Sequence, residues 1–582
     1  MMASSMHSVP QAAAAPAAAA VPEPRAGWRL PAPRQLVALL ADPAGPLALL
    51  LAALVALALA HYIFTTPFMR GLTPFWHQQD NDLAQYLAGF NAFVHEPWHW
   101  PLLRLTSVNA PDGTLVTFLD AIPLYALLLK LWQHGPDLPF RNPYALWLNA
   151  CYLLQGAGAW WICREARTRS WIALAAMTVL LATFPPLTFR INHTSLMSQW
   201  LLLFGLAAYL RSQRLGRLAS GSWIALLLIA FYINIYLFFM LALLFAADLL
   251  RQLQQGQLRR ALATGTAAVV LLGGSLLLTM LPLKGDAGGG EWGFGYYSMN
   301  LLGPFAGGRL LQFPHPQAND GQGEGYAYVG IFLLMAVAYA CTLRRRLDPA
   351  FWQRHRALTV VLIFMTCFAL SNIVFLGTEE LFRVNLPEWT AKLTSTFRSS
   401  GRFFWPVGYV LTAFAVVSLV RLLPPMRAAL LLVLLVALQQ YDLAPTRLRA
   451  REAVSVGAVE RLHDAVWSGF FGPEVKDLQV YPPFGCGHGQ PTQTVLPTMV
   501  YAVQHGMTIS TGYIARVKRP CDNYAAEIAA HRSPASAFVF LKDDFPDRSA
   551  AEALLGGASA AQCIEADFAW LCQRTAAMEN KK

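Results

Sequence analysis

The chain has 582 residues, of which 55% are hydrophobic and only 13% are charged, and its mean hydropathy is +0.40. Soluble domains carry about 25% charged residues, so the composition excludes an ordinary soluble protein and predicts an α-helical polytopic membrane protein. Arginine-rich cytoplasmic loops account for the net charge of +11. Because no basic, aromatic-interleaved soluble surface is visible, the sequence predicts no nucleic-acid partner.

The first apolar segment and those that follow it predict about eleven membrane spans. Residues 1–34 are rich in alanine and proline and predict a disordered cytoplasmic lead. Segment 45–66 lacks a following small-residue cleavage site, which predicts a retained helix rather than a signal peptide. The membrane domain is expected to cover residues 35–441. Its later apolar segments are 143–163, 171–188, 194–211, 222–234, 236–250, 262–282, 326–343, 357–376, 402–420 and 427–441.

Arginine clusters between these segments predict the orientation, since positively charged loops stay in the cytoplasm. Placing every arginine cluster on the cytoplasmic side requires the chain to turn at Ile233–Asn234. Segments 222–234 and 236–250 are then two separate short helices. The same placement also requires residues 119–133 to lie on the outer face as an amphipathic helix. The N-terminus is then cytoplasmic, and four segments lie outside, namely 67–142, 283–325, 377–401 and 442–582.

Residues 442–582 are expected to form a small extracytoplasmic α/β domain. Strands are predicted within 477–482, 507–516 and 537–544, between helical stretches. An even number of cysteines predicts two disulfides in an oxidising compartment. Three pairings are open, of which Cys486–Cys521 with Cys563–Cys572 is preferred. A zinc site is the weaker alternative, because no CxxC pair occurs.

In the first outer loop, residues 76–123 combine acids with three histidines and three tryptophans, a density that is unusual in a chain with only 13% charged residues. Asp80 and Asp82 follow a span, where an acid is unfavourable unless it is solvated or used. One interpretation is that these acids only cap an interfacial helix. The other is that one of them is a general base at the lipid–water boundary.

Four elements of the sequence carry a family resemblance. The first is the polar loop that carries an Asp-x-x-x-Tyr element (Asp82 to Tyr86) and a helix that opens near Asp120. The other three are GYYSMNLLGPF (295–305), QGEGYAYVG (322–330) and FRSSGRFFWP (397–406). This ordered set, over about residues 60–440, resembles the GT-C superfamily of integral-membrane glycosyltransferases. The layout is similar to aminoarabinose transferases and oligosaccharyltransferases, and closest to a poorly characterised bacterial branch.

The resemblance implies a periplasm-facing enzyme of the bacterial inner membrane that uses a polyprenyl-phosphate-linked sugar donor. It matches Asp82 to the essential first-loop carboxylate of the superfamily, with Asp80 as the rival. The implied acceptor is a cell-envelope glycan, lipid or protein, and membrane lipids surround the protein. The expected reaction is inverting transfer.

Several further side chains are candidates for substrate binding. Arg398 and Arg402 form either a phosphate clamp or an interfacial anchor, and on a continuing helix they would share a face. His193 contacts either substrate or neighbouring structure. Glu291 and Glu324 are candidates for a second acid. With no His or Asp at ligand spacing, no cofactor is assigned and a divalent metal stays open. The remaining candidates are Tyr86, Asp120, Asn300 and Tyr326.

Two alternatives to the transferase are open. A transporter or flippase of a lipid-linked glycan predicts inverted repeats and charged residues at the bilayer midplane. Here the polar residues collect on one face, which favours the transferase. A non-catalytic envelope assembly factor would keep the scaffold without the chemistry.

Overall fold

The computed structural model describes residues 42–282, 292–515, 519–522, 524–531 and 533–575. The predicted lead at residues 1–34 lies outside the described residues, as does Glu291. The described chain is mostly helical and ends in a small sheet domain. One hydrophobic core cluster of the described residues runs from the first helix to the last strand, and a second, smaller cluster lies within the sheet domain.

The helices of the described residues are α1 (Pro46–Phe64), α2 (Thr66–Met69), α3 (Asp82–His95), α4 (Pro123–Trp132), α5 (Tyr144–Glu165), α6 (Trp171–Ala182), α7 (Pro185–Thr188), α8 (Trp200–Leu215), α9 (Ser220–Phe231), α10 (Ile235–Gln254), α11 (Leu258–Thr279), α12 (Ile331–Leu347), α13 (Ala350–Arg354), α14 (Arg356–Leu370), α15 (Ala391–Thr396), α16 (Trp405–Leu422), α17 (Pro425–Asp442), α18 (Ala444–Ser455), α19 (Asp464–Phe471), α20 (Val495–Gln504), α21 (Tyr524–Ala530) and α22 (Arg548–Leu554). Short 3₁₀ helices cover Pro74–His77, Val116–Leu119, Thr194–Met197, Asp320–Gly325, Glu388–Thr390 and Ser400–Phe404.

The strands are β1 (Arg104–Leu105), β2 (Thr114–Leu115), β3 (Ile373–Leu376), β4 (Glu379–Arg383), β5 (Asp477–Tyr481), β6 (Thr508–Ile509), β7 (Ser536–Leu541), β8 (Ala561–Ala566) and β9 (Ala569–Arg574). The pairs β1–β2 and β3–β4 are separate antiparallel ribbons. The other five strands form one sheet in the order β6-β5-β7-β9-β8.

Four helical segments of the described chain are long and apolar enough to cross a membrane. A fifth span results if α17 and α18, which are bent by 50° against each other, are counted as one. The expectation of eleven full spans is not supported, because most of the other apolar helices have only 12 to 17 residues, short of the about 20 that a bilayer requires. The four segments are Pro46–Phe64, Ile235–Gln254, Leu258–Thr279 and Ser400–Leu422.

The predicted turn at Ile233–Asn234 is present. Helix α9 ends at Phe231, and the side chain of Asn234 caps α10 by accepting hydrogen bonds from the backbone N–H groups of Tyr236 and Leu237. Asn is a strong N-cap residue because its amide oxygen satisfies a free helix donor. Only α9 is short, however, since α10 has 20 residues.

The C-terminal domain has the predicted strands at β5 and β7, whereas β6 covers only two residues of the expected third strand. Strands β5, β6 and β7 are parallel, and the hairpin β8–β9 joins them antiparallel through β9. Both preferred disulfides are present, Cys486–Cys521 and Cys563–Cys572. The second joins directly opposed residues of the β8–β9 hairpin, which the sequence prediction had missed.

Segment 67–142 packs directly on the C-terminal domain. Ile509 of β6 forms a parallel bridge with Val108, and its N–H donates to the carbonyl of Ser107 at 2.8 Å. From α3, the Gln85 amide donates to the carbonyl of Tyr513 at 2.8 Å. The two regions are therefore joined through backbone hydrogen bonds close to the start of α3.

Candidate functional site

The two candidate carboxylates at the start of α3, Asp80 and Asp82, contact different partners. Asn81 caps the helix by accepting from the Ala84 N–H at 3.3 Å, so the predicted cap role belongs to Asn81 rather than to Asp82. Asp80 forms a salt bridge with Arg461, with 2.9 Å between Nη2 and Oδ2. The carboxylate of Asp82 faces a different partner and keeps 35% of its side chain exposed.

His193 lies between Asp82 and a second acid. Its Nδ1 is 3.0 Å from Oδ2 of Asp82, and its Nε2 is 3.7 Å from Oε1 of Glu324. Both nitrogens of the imidazole ring therefore face carboxylate oxygens. Histidine was a candidate for contact with either substrate or structure, and here it links two of the predicted acids.

Two buried arginines hold Glu324. Arg190 Nη1 is 2.8 Å from Oε2 of Glu324, and Arg402 also forms a salt bridge with that oxygen. Burial raises the pKa of Glu324, but the charges of Arg402 and Arg190 and the hydrogen bond from His193 outweigh it, so the net pKa is lowered. Burial lowers the pKa of Arg190 to about 10, with Glu324 opposing that shift. Glu324 therefore stays ionised at neutral pH.

One helical turn after Asp82, Tyr86 contacts the same segment. Its hydroxyl lies 2.8 Å from Oγ of Ser195, which also accepts from the amide of Asn234 at 3.0 Å. Residues four apart share a helix face, so the Asp-x-x-x-Tyr spacing presents two side chains to residues 193–195. Burial, and then the charge of Asp120, raise the pKa of Tyr86 well above its usual value, which keeps its hydroxyl protonated.

The arginines and a neighbouring amide have donors without a hydrogen-bond partner in the described part of the chain. These buried atoms are Nε of Arg190, Nε of Arg402 and Nε2 of Gln322. An unsatisfied buried donor costs about 1–3 kcal/mol. The cluster therefore contains donors that no described protein atom satisfies.

A cavity of about 380 Å³ adjoins this cluster. Arg190, His193 and Glu324 line one side, and Arg449 and Ala453 of α18 line another. Its volume lies within the range of about 300–1,000 Å³ that small-molecule sites occupy.

Arg398 and Arg402 are not on one helix. Helix α15 ends at Thr396 and a 3₁₀ helix covers Ser400–Phe404, so the expected shared face is wrong. Arg402 is buried against Glu324, whereas the guanidinium of Arg398 stacks over the ring of Tyr297 at 5.4 Å. The Ser-Ser-Gly sequence between them breaks the α-helical pattern on which that expectation rested.

Other predicted residues lie around the cluster rather than in it. Asn300 is buried and donates to the carbonyl of Gly377 and to the side chain of Gln322, so it braces the loop that carries Glu324. Tyr326 packs on Phe189 with ring centroids 4.6 Å apart. Asp120 is exposed, with a left-handed backbone (φ 52°), just before α4.

Sequence reasoning missed Arg190 as a member of the site. It lies in the same turn as His193, and an arginine that is only 3% exposed beside a polar loop needs a counter-charge. The sequence feature that could have identified Arg190 is its position three residues before the candidate His193. Arg461, which pairs with Asp80, carried no comparable signal, because it lies beyond the membrane domain.

Within the described ranges, no group of three or more His, Cys, Asp or Glu side chains is arranged to hold a metal. The acids of the cluster contact arginine and histidine side chains instead.

Comparison with known families gives two matches. A model described as a domain of unknown function, DUF6311, matches residues 53–444, and one described as the DUF6311 C-terminal domain matches residues 466–574. The first match covers the helical region that contains the cluster, and the second covers the sheet domain. None of the curated proteins matches the chain.

Proposed function

We propose that this chain, which belongs to the DUF6311 family, is an inverting membrane glycosyltransferase of the GT-C type. The donor is a polyprenyl-phosphate-linked sugar, and the acceptor is a hydroxyl of a cell-envelope glycan, lipid or protein. The reaction takes place on the periplasmic face of the bacterial inner membrane. The membrane-capable helices and the two C-terminal disulfides support a membrane protein with an extracytoplasmic domain.

The observation that carries the proposal is the contact of Asp82 with His193, which in turn faces Glu324. A general base must be held in position and still be reachable by its substrate. Asp82 meets both conditions, because His193 holds one oxygen and a third of the side chain is exposed. Asp80 is less suitable, since its carboxylate is neutralised by Arg461.

In the proposed step, the acceptor oxygen attacks the anomeric carbon while Asp82 takes the proton of the hydroxyl. The bond between the anomeric carbon and the phosphate oxygen breaks, and its electron pair leaves with the polyprenyl phosphate. Attack opposite to the leaving group inverts the anomeric configuration. No oxidant or further reactant is needed.

Negative charge grows on the departing phosphate, and cationic donors there lower the barrier. The two arginines on Glu324 together carry one more charge than that carboxylate neutralises, and each has an unpaired Nε in the described residues. We therefore assign phosphate stabilisation to Arg190 and Arg402. Arg398 is a peripheral candidate, because it lies against Tyr297.

The proposal is tested with full-length protein in nanodiscs supplied with a mixed pool of polyprenyl-phosphate sugars, followed by mass spectrometry. Wild type is expected to consume one donor, and Asp82→Asn to consume none while still binding it. Asp80→Asn is the matched control, since it removes a neighbouring carboxylate, and it is expected to keep turnover. Both variants are checked for expression and thermal unfolding.

Normal turnover by Asp82→Asn would refute Asp82 as the base. If wild type binds a donor and releases it unchanged, a transporter or an assembly factor is the better account. If wild type consumes a donor and only Asp80→Asn is inactive, the roles of the two carboxylates are reversed.

A further inference from the structure

A second cavity, of about 690 Å³, runs along α16, the helix that follows Arg402. It is lined by α8, α14 and α16, and it extends along α16 to Arg421. At 1.5 Å per residue, Arg402 and Arg421 are about 28 Å apart along the chain axis. That separation is close to the hydrocarbon thickness of about 30 Å, so this cavity reaches the face opposite to the candidate site.

The walls of the cavity are mainly apolar and elongated. Side chains from Val407 to Val417 line it on α16, and those from Leu358 to Cys367 line it on α14. From Val407 to Arg421 the cavity follows about 21 Å of helix, which exceeds the depth of about 15 Å of one leaflet. This length accommodates an extended acyl chain.

Arginine dominates the charge at one end. Four arginines line the cavity against one glutamate, namely Arg167, Arg214, Arg344 and Arg421 against Glu165. The salt bridges of the described chain use Glu165 for Arg214 and Asp348 for Arg344. Neither carboxylate pairs with Arg167 or Arg421, so the end of the cavity keeps an excess of positive charge. Burial lowers the pKa of His355 to about 4, which leaves that residue neutral beside the arginines.

We infer that this cavity binds one anionic phospholipid of the leaflet opposite to the candidate site, with the phosphate at Arg167 and Arg421 and an acyl chain between α14 and α16. An excess of arginine selects a headgroup with net negative charge, because each cationic side chain near a membrane surface contributes about 1 kcal/mol toward anionic lipid. A zwitterionic headgroup would gain little from the same residues. The inference is independent of the transfer reaction.

Cys367 provides a reporter inside the cavity. It is exposed and lines the apolar wall, whereas Cys151 and Cys163 are buried. Cys341 also lines the cavity and is replaced by Ser, while the four C-terminal cysteines are in disulfides. Full-length protein in phosphatidylcholine nanodiscs is labelled with pyrene maleimide, with or without added phosphatidylglycerol or phosphatidylethanolamine. Native mass spectrometry measures the lipid that is retained.

Phosphatidylglycerol is expected to slow the labelling of Cys367 and to be retained, whereas phosphatidylethanolamine is not. The double variant Arg167→Gln/Arg421→Gln should need about thirtyfold more phosphatidylglycerol for the same protection. The single variant Arg167→Gln should weaken protection less than the double variant. Arg421 also donates to the carbonyl of Ala166, so its loss could impair folding. In that case Arg167→Gln alone is the test variant. Arg345→Gln/Arg346→Gln is the control, since those exposed arginines on α12 do not line the cavity.

Equal protection by both lipids, or unchanged protection in Arg167→Gln/Arg421→Gln, would overturn the inference. So would loss of protection in the Arg345→Gln/Arg346→Gln control to the same extent, because the effect would then be one of general surface charge.

Discussion

Ion pairs of two kinds stabilise different parts of this molecule. In the candidate site the partners come from distant segments, with 134 residues between Arg190 and Glu324 and 78 between Glu324 and Arg402. Near the ends of α10 and α12 the pairs are local, with Arg251 three residues after Asp248 and Asp348 four residues after Arg344. The local pairs form whenever the helix forms, whereas the distant ones require the complete tertiary fold.

The difference in sequence separation indicates which ion pairs are sensitive to a mutation elsewhere in the fold. A local ion pair depends only on its own helix. The cluster around Glu324 depends on four separate chain segments and on the packing between them, so its loss is expected to affect stability and activity together.

The largest effect is expected for Glu324→Gln. Removing this carboxylate leaves Arg190 and Arg402 buried without their counter-charge, and breaking such a buried pair costs about 3 kcal/mol. Thermal and chemical unfolding in detergent, followed by tryptophan fluorescence, measures the loss. Glu380→Gln is the control, because it breaks an exposed local pair with Arg383 and is expected to change nothing measurable. Equal stability of both variants would show that the distant pairs contribute no more than local ones.

A smaller loss is expected for Gly325→Ala. A Cβ at this position would lie 2.6 Å from the Cα of Gly401, and this backbone contact brings the Glu324 loop against the segment of Arg402. Overpacking of this kind costs about 2 kcal/mol. Gly323→Ala in the same loop is the control, since its Cβ would meet nothing within 4 Å. The comparison of unfolding midpoints tests the contact, and equal midpoints for the two variants would rule out its importance.

A moderate effect on turnover is expected for His193→Ala. Without His193 the Asp82 carboxylate loses its orienting contact, and kcat should fall about tenfold with little change in KM. His99→Ala is the control, because His99 pairs with Glu96 in the same loop and contacts neither Asp82 nor Glu324 in the described residues. A fall in both variants, or a change in KM alone, would contradict an orienting role. The nanodisc assay for donor consumption provides the measurement.

The smallest effect is expected in the pH dependence of the stability that Glu324 contributes. The pKa of Glu324 in the folded protein is lowered below its reference value of about 4.3, so its contribution to stability is complete above about pH 4.3 and is lost as pH falls through the folded pKa. The gap in unfolding midpoint between wild type and Glu324→Gln should therefore stay constant from about pH 7 to about pH 5, and narrow only in stronger acid. A gap that closes already at about pH 5 would contradict the lowered pKa.

Local sequence signals predicted much of the fold. Helix α3 and the strands β5 and β7 follow from residue patterns, and the break before Asn234 follows from the placement of the arginine clusters. An even cysteine count predicted two disulfides, and the pairing that is present is the one preferred among three. The number of spans did not follow, because apolar composition indicates burial without separating a full span from a short helix packed inside protein. The β8–β9 hairpin was missed, although the nine-residue spacing of Cys563 and Cys572 fits directly opposed strands.

The candidate site was predictable one residue at a time but not as an arrangement. Asp82, His193, Glu324 and Arg402 were each singled out by residue type and position. Their contacts depend on how four separate chain segments pack, which no local pattern describes. The same limit explains Arg398, whose assignment assumed a helix that ends at Thr396.

The hydrogen bond between Gln85 and Tyr513 joins residues that are 428 positions apart. A ribosome adds about 5–20 residues per second, so about 20–90 s pass between the synthesis of Gln85 and that of Tyr513. During that interval the segment that contains Asp82 lacks its C-terminal partner, and the carbonyl of Ser107 lacks the hydrogen bond from Ile509. Assembly of the site is therefore among the last events in the biogenesis of this protein, after nearly the whole polypeptide has been made.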